Sequence, residues 1–121
     1  MEELTKGEEK IMQIVWKLKK CFVKDILEEM SEPKPPYNTI SSVIRVLRDK
    51  GFVKFKQYGN TYEYTPAVSK PAYKKYVFGQ LLKNFFDGSY ESMVSYMVED
   101  EKISEDEMKE IKAVVNKKAD E

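Results

Sequence analysis

Arg45 and Arg48 are the only two arginines in the chain, and they stand close behind Asn38, Ser41 and Ser42. Arginine's planar fork donates two parallel hydrogen bonds to a guanine edge or a phosphate, which the point charge of lysine cannot copy. Short amides and hydroxyls supply the donors and acceptors that match base edges in a major groove. The surrounding stretch is locally basic, with six Lys or Arg against the single acid Asp49 across residues 34–56. That combination suits recognition of a polyanion, although a lysine-rich face can also be merely solvated. Bond-making chemistry has little to work with. The chain has no histidine and one cysteine, Cys21, so the commonest general base and a multi-cysteine metal site are both missing. Tyr58, Tyr62 and Tyr64 with their neighbouring lysines read better as core and hairpin than as acid/base groups. The expectation is a non-enzyme with no metal and no cofactor.

The elements that would position these residues follow from periodicity. Thr5 and Glu8 have capping-box spacing, and Ile11, Ile14, Val15 and Leu18 follow as a helical stripe with Trp16 beside it. A second stripe is Val23, Ile26, Leu27 and Met30. The prolines at 33, 35 and 36 then force an extended loop. A third stripe is Ile40, Val43, Ile44 and Leu47, with Asn38 expected as N-cap and Gly51 as the left-handed stop. The period then switches to two: Val53 and Phe55 alternate with Lys54 and Lys56. Beyond Tyr58-Gly59-Asn60, Tyr62 and Tyr64 alternate with Thr61, Glu63 and Thr65, which predicts a hairpin. Helix, helix, loop, helix, hairpin is the order of a winged helix-turn-helix. In that arrangement the third helix enters a major groove, and Lys54, Lys56 and the hairpin tip at Asn60 and Thr61 hold the adjacent phosphates. Two readings compete with this. The lysines also suit protection of an edge strand, and some winged helices bind only protein, which makes a protein-interaction module without DNA binding the alternative function.

The chain of 121 residues has zero net charge, unevenly spread. Residues 1–71 carry a net +3 and residues 72–121 a net −3. The acidic part reads as helical: one helix from about Ser69 to Asn84, a break at Asp87-Gly88-Ser89, and a short helix with Met93, Val94, Tyr96 and Met97. A capping box at Ser104 and Glu107 opens a last helix. Val77, Leu81, Leu82, Phe85, Phe86, Tyr96 and Met97 are more apolar surface than some 50 residues bury alone, so this part is expected to dimerise. The expected architecture is mainly α with a small β-hairpin: residues 1–68 a winged-helix DNA-binding domain, residues 69–121 a helical dimerisation domain. No apolar run is long enough to span a membrane and no signal peptide is visible, so a cytoplasmic location is expected. Cys21, beside Lys19 and Lys20, is expected to be core rather than a redox switch.

Several stretches carry a resemblance. They are Ile14-Val15-Trp16-Lys17, Asn38 to Leu47, Lys50-Gly51-Phe52, Tyr64-Thr65-Pro66, Ser92-Met93-Val94, Val98-Glu99 and Ile103 to Glu107. Taken in order, this set resembles the penicillinase-repressor family (BlaI/MecI type). The resemblance implies a homodimeric winged-helix repressor of palindromic operators, with TACA/TGTA-type half-sites, ahead of resistance genes. It implies that Asn38, Thr39, Ser41 and Ser42 face DNA, that Val53 to Thr65 form the wing, and that the region with Met93 dimerises. Val46 and Asn60 stand where family members often carry arginine, which implies a different operator. In antibiotic-responsive members a membrane sensor-protease triggers cleavage at an Asn-Phe bond. The matching bond here is Tyr96-Met97, a departure from that pair. The cysteine-rich metal site of the copper-responsive branch has no counterpart, since no cysteine follows Cys21.

Overall fold

The computed structural model describes the backbone of residues 1–100 and 104–119, with side chains through 114. Two compact units divide the chain, Met1–Val77 and Phe78–Glu121. The expected functional division at 68/69 falls just before helix α4, Lys70–Phe86. The packing boundary falls within that helix.

In the first unit, α1 (Lys6–Leu18) begins at Thr5, whose hydroxyl accepts from the Glu8 N–H at 3.2 Å while the Glu8 carboxylate accepts from the Thr5 N–H at 2.9 Å. This is the expected capping box, satisfying two open donors reciprocally. The stripe is rotated slightly from the one read in sequence. Ile11, Met12 and Val15 are buried, and Ile14, Trp16 and Leu18 pack around them half-exposed. Helix α2 (Val23–Glu29) buries Val23 and Ile26. Helix α3 (Tyr37–Asp49) buries Ile40, Ile44 and Leu47.

Its start corrects one expectation. The N-cap is Pro36, not Asn38, and no side chain caps the helix. Pro36 is extended at φ −60°, the value its ring imposes anyway, so the helix begins at Tyr37 and Asn38 lies inside its first turn. The far end is as expected. Gly51 takes φ 84°, its N–H reaches Arg48 O at 3.0 Å, and the Phe52 N–H reaches Leu47 O at 2.9 Å. These two bonds form a Schellman motif, which needs a residue tolerant of the left-handed region.

Strands β1 (Val53–Tyr58) and β2 (Thr61–Pro66) pair antiparallel, with Phe55 opposite Tyr64 and Lys56 opposite Glu63. Gly59, at φ 58°, supplies the positive φ that a two-residue hairpin turn requires. Cys21 adds a bridge on the other edge of β2, exchanging bonds of 3.0 and 2.7 Å with Tyr64. Its thiol is buried and pushed up to about 11 by burial, then by the charges of Asp25 and Glu63. A thiol held that far above neutrality stays protonated and unreactive, as expected of a core cysteine.

Tyr73 from the first turn of α4 completes this core. Its ring lies 5.8 Å from that of Trp16 and 5.6 Å from that of Phe52, and its hydroxyl accepts from the Leu4 N–H at 2.7 Å. Trp16 Nε1 donates to Val68 O at 2.9 Å. Glu8 and Lys50 form an ion pair at 2.8 Å. Burial would raise the Glu8 carboxyl, but the Lys50 hydrogen bond and the Thr5 contacts outweigh it and hold it below its ordinary value.

In the second unit, α4 ends at Asp87 and Gly88, both at positive φ. It runs to Phe86 rather than the expected Asn84. Ser89 caps α5 (Tyr90–Glu99), accepting from the Ser92 N–H at 3.1 Å. Ser104 and Glu107 form the expected box at the head of α6 (Glu105–Ala119). Among the described residues no helix is long and apolar enough to cross a membrane.

Candidate nucleic-acid interface

Helix α3 buries one face, so its remaining residues fall on two flanks. At 3.6 residues per turn, Asn38, Thr39, Ser42, Arg45, Val46 and Asp49 share the outward flank, and all six are exposed. The Arg45 guanidinium folds back along its own helix, donating to Ser41 O at 3.3 Å and Ser42 Oγ at 3.4 Å. These are long bonds on an exposed side chain, and an incoming ligand can replace them.

Tyr37, Ser41 and Arg48 occupy the other flank, toward the hairpin. Arg48 donates twice to Asp49 Oδ1, at 3.2 and 3.1 Å. Its guanidinium also lies 5.4 Å from the centre of the Phe55 ring. A cation over an aromatic face is attracted by the ring quadrupole, so Arg48 docks the hairpin on α3. The two arginines grouped together in sequence therefore have different surroundings.

A groove of about 470 Å³ opens between α2, α3 and the hairpin. Lys24, Tyr37, Ser41, Asn60 and Thr61 line it with polar groups, and Phe22, Tyr62 and Tyr64 form its aromatic side. The Tyr64 hydroxyl is raised above its ordinary value by burial, against the opposing charges of Arg48 and Arg45. Lys54 and Lys56 are exposed on the outer face of β1. Lys56 lies 5.2 Å over the Tyr58 ring and opposite Glu63, which tempers its charge. Thr61 Oγ1 donates to Tyr58 O at 2.9 Å and braces the turn beside Asn60.

Sequence reasoning missed Tyr37 and Lys24 as residues of this surface. Taking Asn38 as the cap placed Tyr37 outside the helix. Among the described residues no cluster of three His, Cys, Asp or Glu side chains could hold a metal ion.

The expected dimer residues divide as well. Val77 packs half-buried on the first unit's core. Leu82 is buried at 7% exposure, and Phe86 and Met93 are half-buried. Leu81, Phe85, Tyr96 and Met97 are exposed, Phe85 at 75% and Tyr96 at 58%. Phe78, Tyr90 and Val114 are exposed too. The Tyr96-Met97 bond lies inside α5, where Tyr96 O accepts from the Asp100 N–H at 3.0 Å.

Residues 4–117 match the penicillinase repressor family. The chain belongs to that family. It is 29% identical over 117 residues to the methicillin resistance regulatory protein MecI of Staphylococcus aureus (strain N315), covering 96% of this chain and 95% of that one. It is 24% identical over 110 residues to the penicillinase repressor of Bacillus licheniformis, covering 90% and 86%. In three dimensions it matches the solution structure of the DNA-binding domain of the repressor BlaI. The TM-score is 0.51 at 22% identity, over 60% of this chain and 94% of that one. The shared fold is the winged helix expected from the element order.

Proposed function

We propose that this chain is a DNA-binding transcriptional repressor that acts as a homodimer on a palindromic operator, with the outward flank of α3 in the major groove and the hairpin on the adjacent backbone. The observation that carries the reading is the outward flank itself. Asn38, Thr39, Ser42 and Arg45 stand exposed in a row on a helix pinned from behind by Ile40, Ile44 and Leu47, so polar groups are held rigidly at the spacing of base edges. Lys54, Lys56, Asn60 and Thr61 supply the phosphate contacts that set register without reading sequence. Arg48 is proposed to act mainly by holding the hairpin. The exposed Leu81, Phe85, Tyr96 and Met97 support a second copy as their cover, and the two-fold axis of such a dimer matches a palindrome. The names of the relatives extend the proposal to control of antibiotic-response genes.

Fluorescence anisotropy tests it. The full-length chain is titrated against a duplex selected by the protein from a random pool and against a scrambled duplex, each at several salt concentrations. The expected result is preference for the selected duplex, a steep salt slope and two chains per duplex. Equal weak binding to both at low salt, or one chain per duplex, would sink it.

A further inference from the structure

The outward flank of α3 holds one group that cannot make a hydrogen bond. Val46 is 42% exposed, among the polar side chains of Thr39, Ser42, Arg45 and Asp49. A valine has one strongly preferred rotamer in a helix, so its methyl groups are fixed in space as firmly as α3 itself. Thr39 lies two turns earlier on the same flank. In a major groove the apolar feature of a base edge is the C5-methyl group of thymine. The other groups there are donors or acceptors. A valine set against the amino group of cytosine would leave a donor desolvated and unpaired, at a cost. Against thymine it removes two apolar surfaces from water.

We infer that Val46 reads the C5-methyl group of a thymine in each half-site, so that thymine at one position of the operator is selected by an apolar contact rather than by a hydrogen bond. The inference rests on the proposed insertion of α3 into the major groove.

The test uses the full-length chain and the duplex it selects from a random pool. Each thymine of the half-site is replaced in turn by uracil, which keeps every hydrogen-bonding group and lacks only the methyl. One position per half-site is expected to lose about fourfold in affinity, the equivalent of ~0.8 kcal/mol for one buried methyl-sized group. Replacing it in both half-sites should cost about fifteenfold. Val46→Ala should abolish the thymine–uracil difference at that position, and Val46→Thr, which keeps a methyl group, should retain it. Uracil tolerated at every position would overturn the inference and leave the repressor reading intact. So would a fourfold loss that persists unchanged in Val46→Ala. Failure to select any duplex would instead overturn the repressor reading, and this inference with it.

Discussion

Residues 1–77 gather fourteen buried apolar side chains into one cluster, whereas among the described residues from 78 onward only Leu82 and Val94 are buried. The second unit is about as apolar in composition. It carries Phe78, Leu81, Phe85, Tyr90, Tyr96 and Met97 at its surface instead. Long-range bonds follow the same division. Leu4 to Tyr73, Trp16 to Val68, Cys21 to Tyr64 and Glu8 to Lys50 all lie within the first unit. In the second, Ser89 to Ser92 and Ser104 to Glu107 are local caps. A unit whose core closes on itself is stable alone, and one whose apolar residues face outward depends on what covers them.

The sharpest way to break that comparison is a pair of substitutions. Phe52→Ala empties a fully buried site, and should lower unfolding stability by about 3–5 kcal/mol, read in urea by the fluorescence of Trp16, the chain's one tryptophan. Phe85→Ala should leave that transition within about 0.5 kcal/mol, yet weaken self-association by about 2 kcal/mol in sedimentation. Equal losses in both measurements would erase the distinction between the units.

Truncation sharpens it next. A chain ending at Val77 should unfold cooperatively as a monomer. One ending at Pro66, lacking Tyr73 and Val68, should show no sharp transition by circular dichroism. DNA affinity of the 1–77 chain should fall on the order of a hundredfold, the advantage two linked half-site contacts provide. Undiminished affinity would count against the dimer.

The smallest effect concerns pH. The Glu8 carboxyl is held low when folded, so its ion pair contributes stability above the unfolded carboxylate value of about 4.3, lost as pH falls through the lower folded value. Lys50 is raised chiefly by its hydrogen bond to Glu8. Its share is therefore present below the ordinary lysine value and disappears as pH climbs through the raised one. Glu8→Gln should flatten the acid side of a stability–pH profile while the alkaline limits of other groups stay in place. An unchanged acid limb would mean the pair contributes nothing.

Much of the fold was legible because it is written locally. Thr5 with Glu8, Ser104 with Glu107, Gly51, the switch from a period near 3.6 to a period of two, and the Gly59-Asn60 turn each specify structure within a few residues. Where local reading failed, a neighbour distant in sequence or a competing cap was responsible. Asn38 has the right chemistry for an N-cap, yet Pro36 starts the helix earlier. Ile14 fits the apolar stripe, yet Met12 is the residue α1 buries. The candidate interface was read as one polar patch. The structure separates it into an outward flank with Arg45 and Val46 and a hairpin-facing flank with Arg48.

The sequence by itself determined the order of elements, the capping boxes of α1 and α6, the pattern of the hairpin and the chemistry of α3, since each depends on side-chain periodicity and on backbone preferences over one or two turns. Only the tertiary structure decided that Cys21 extends the hairpin, that Tyr73 closes the core from 69 residues away from Leu4, and that Arg48 is held over Phe55 while Arg45 lies open. Those outcomes depend on which surfaces meet when the apolar stripes are buried together, and that meeting leaves no periodic signal in the chain.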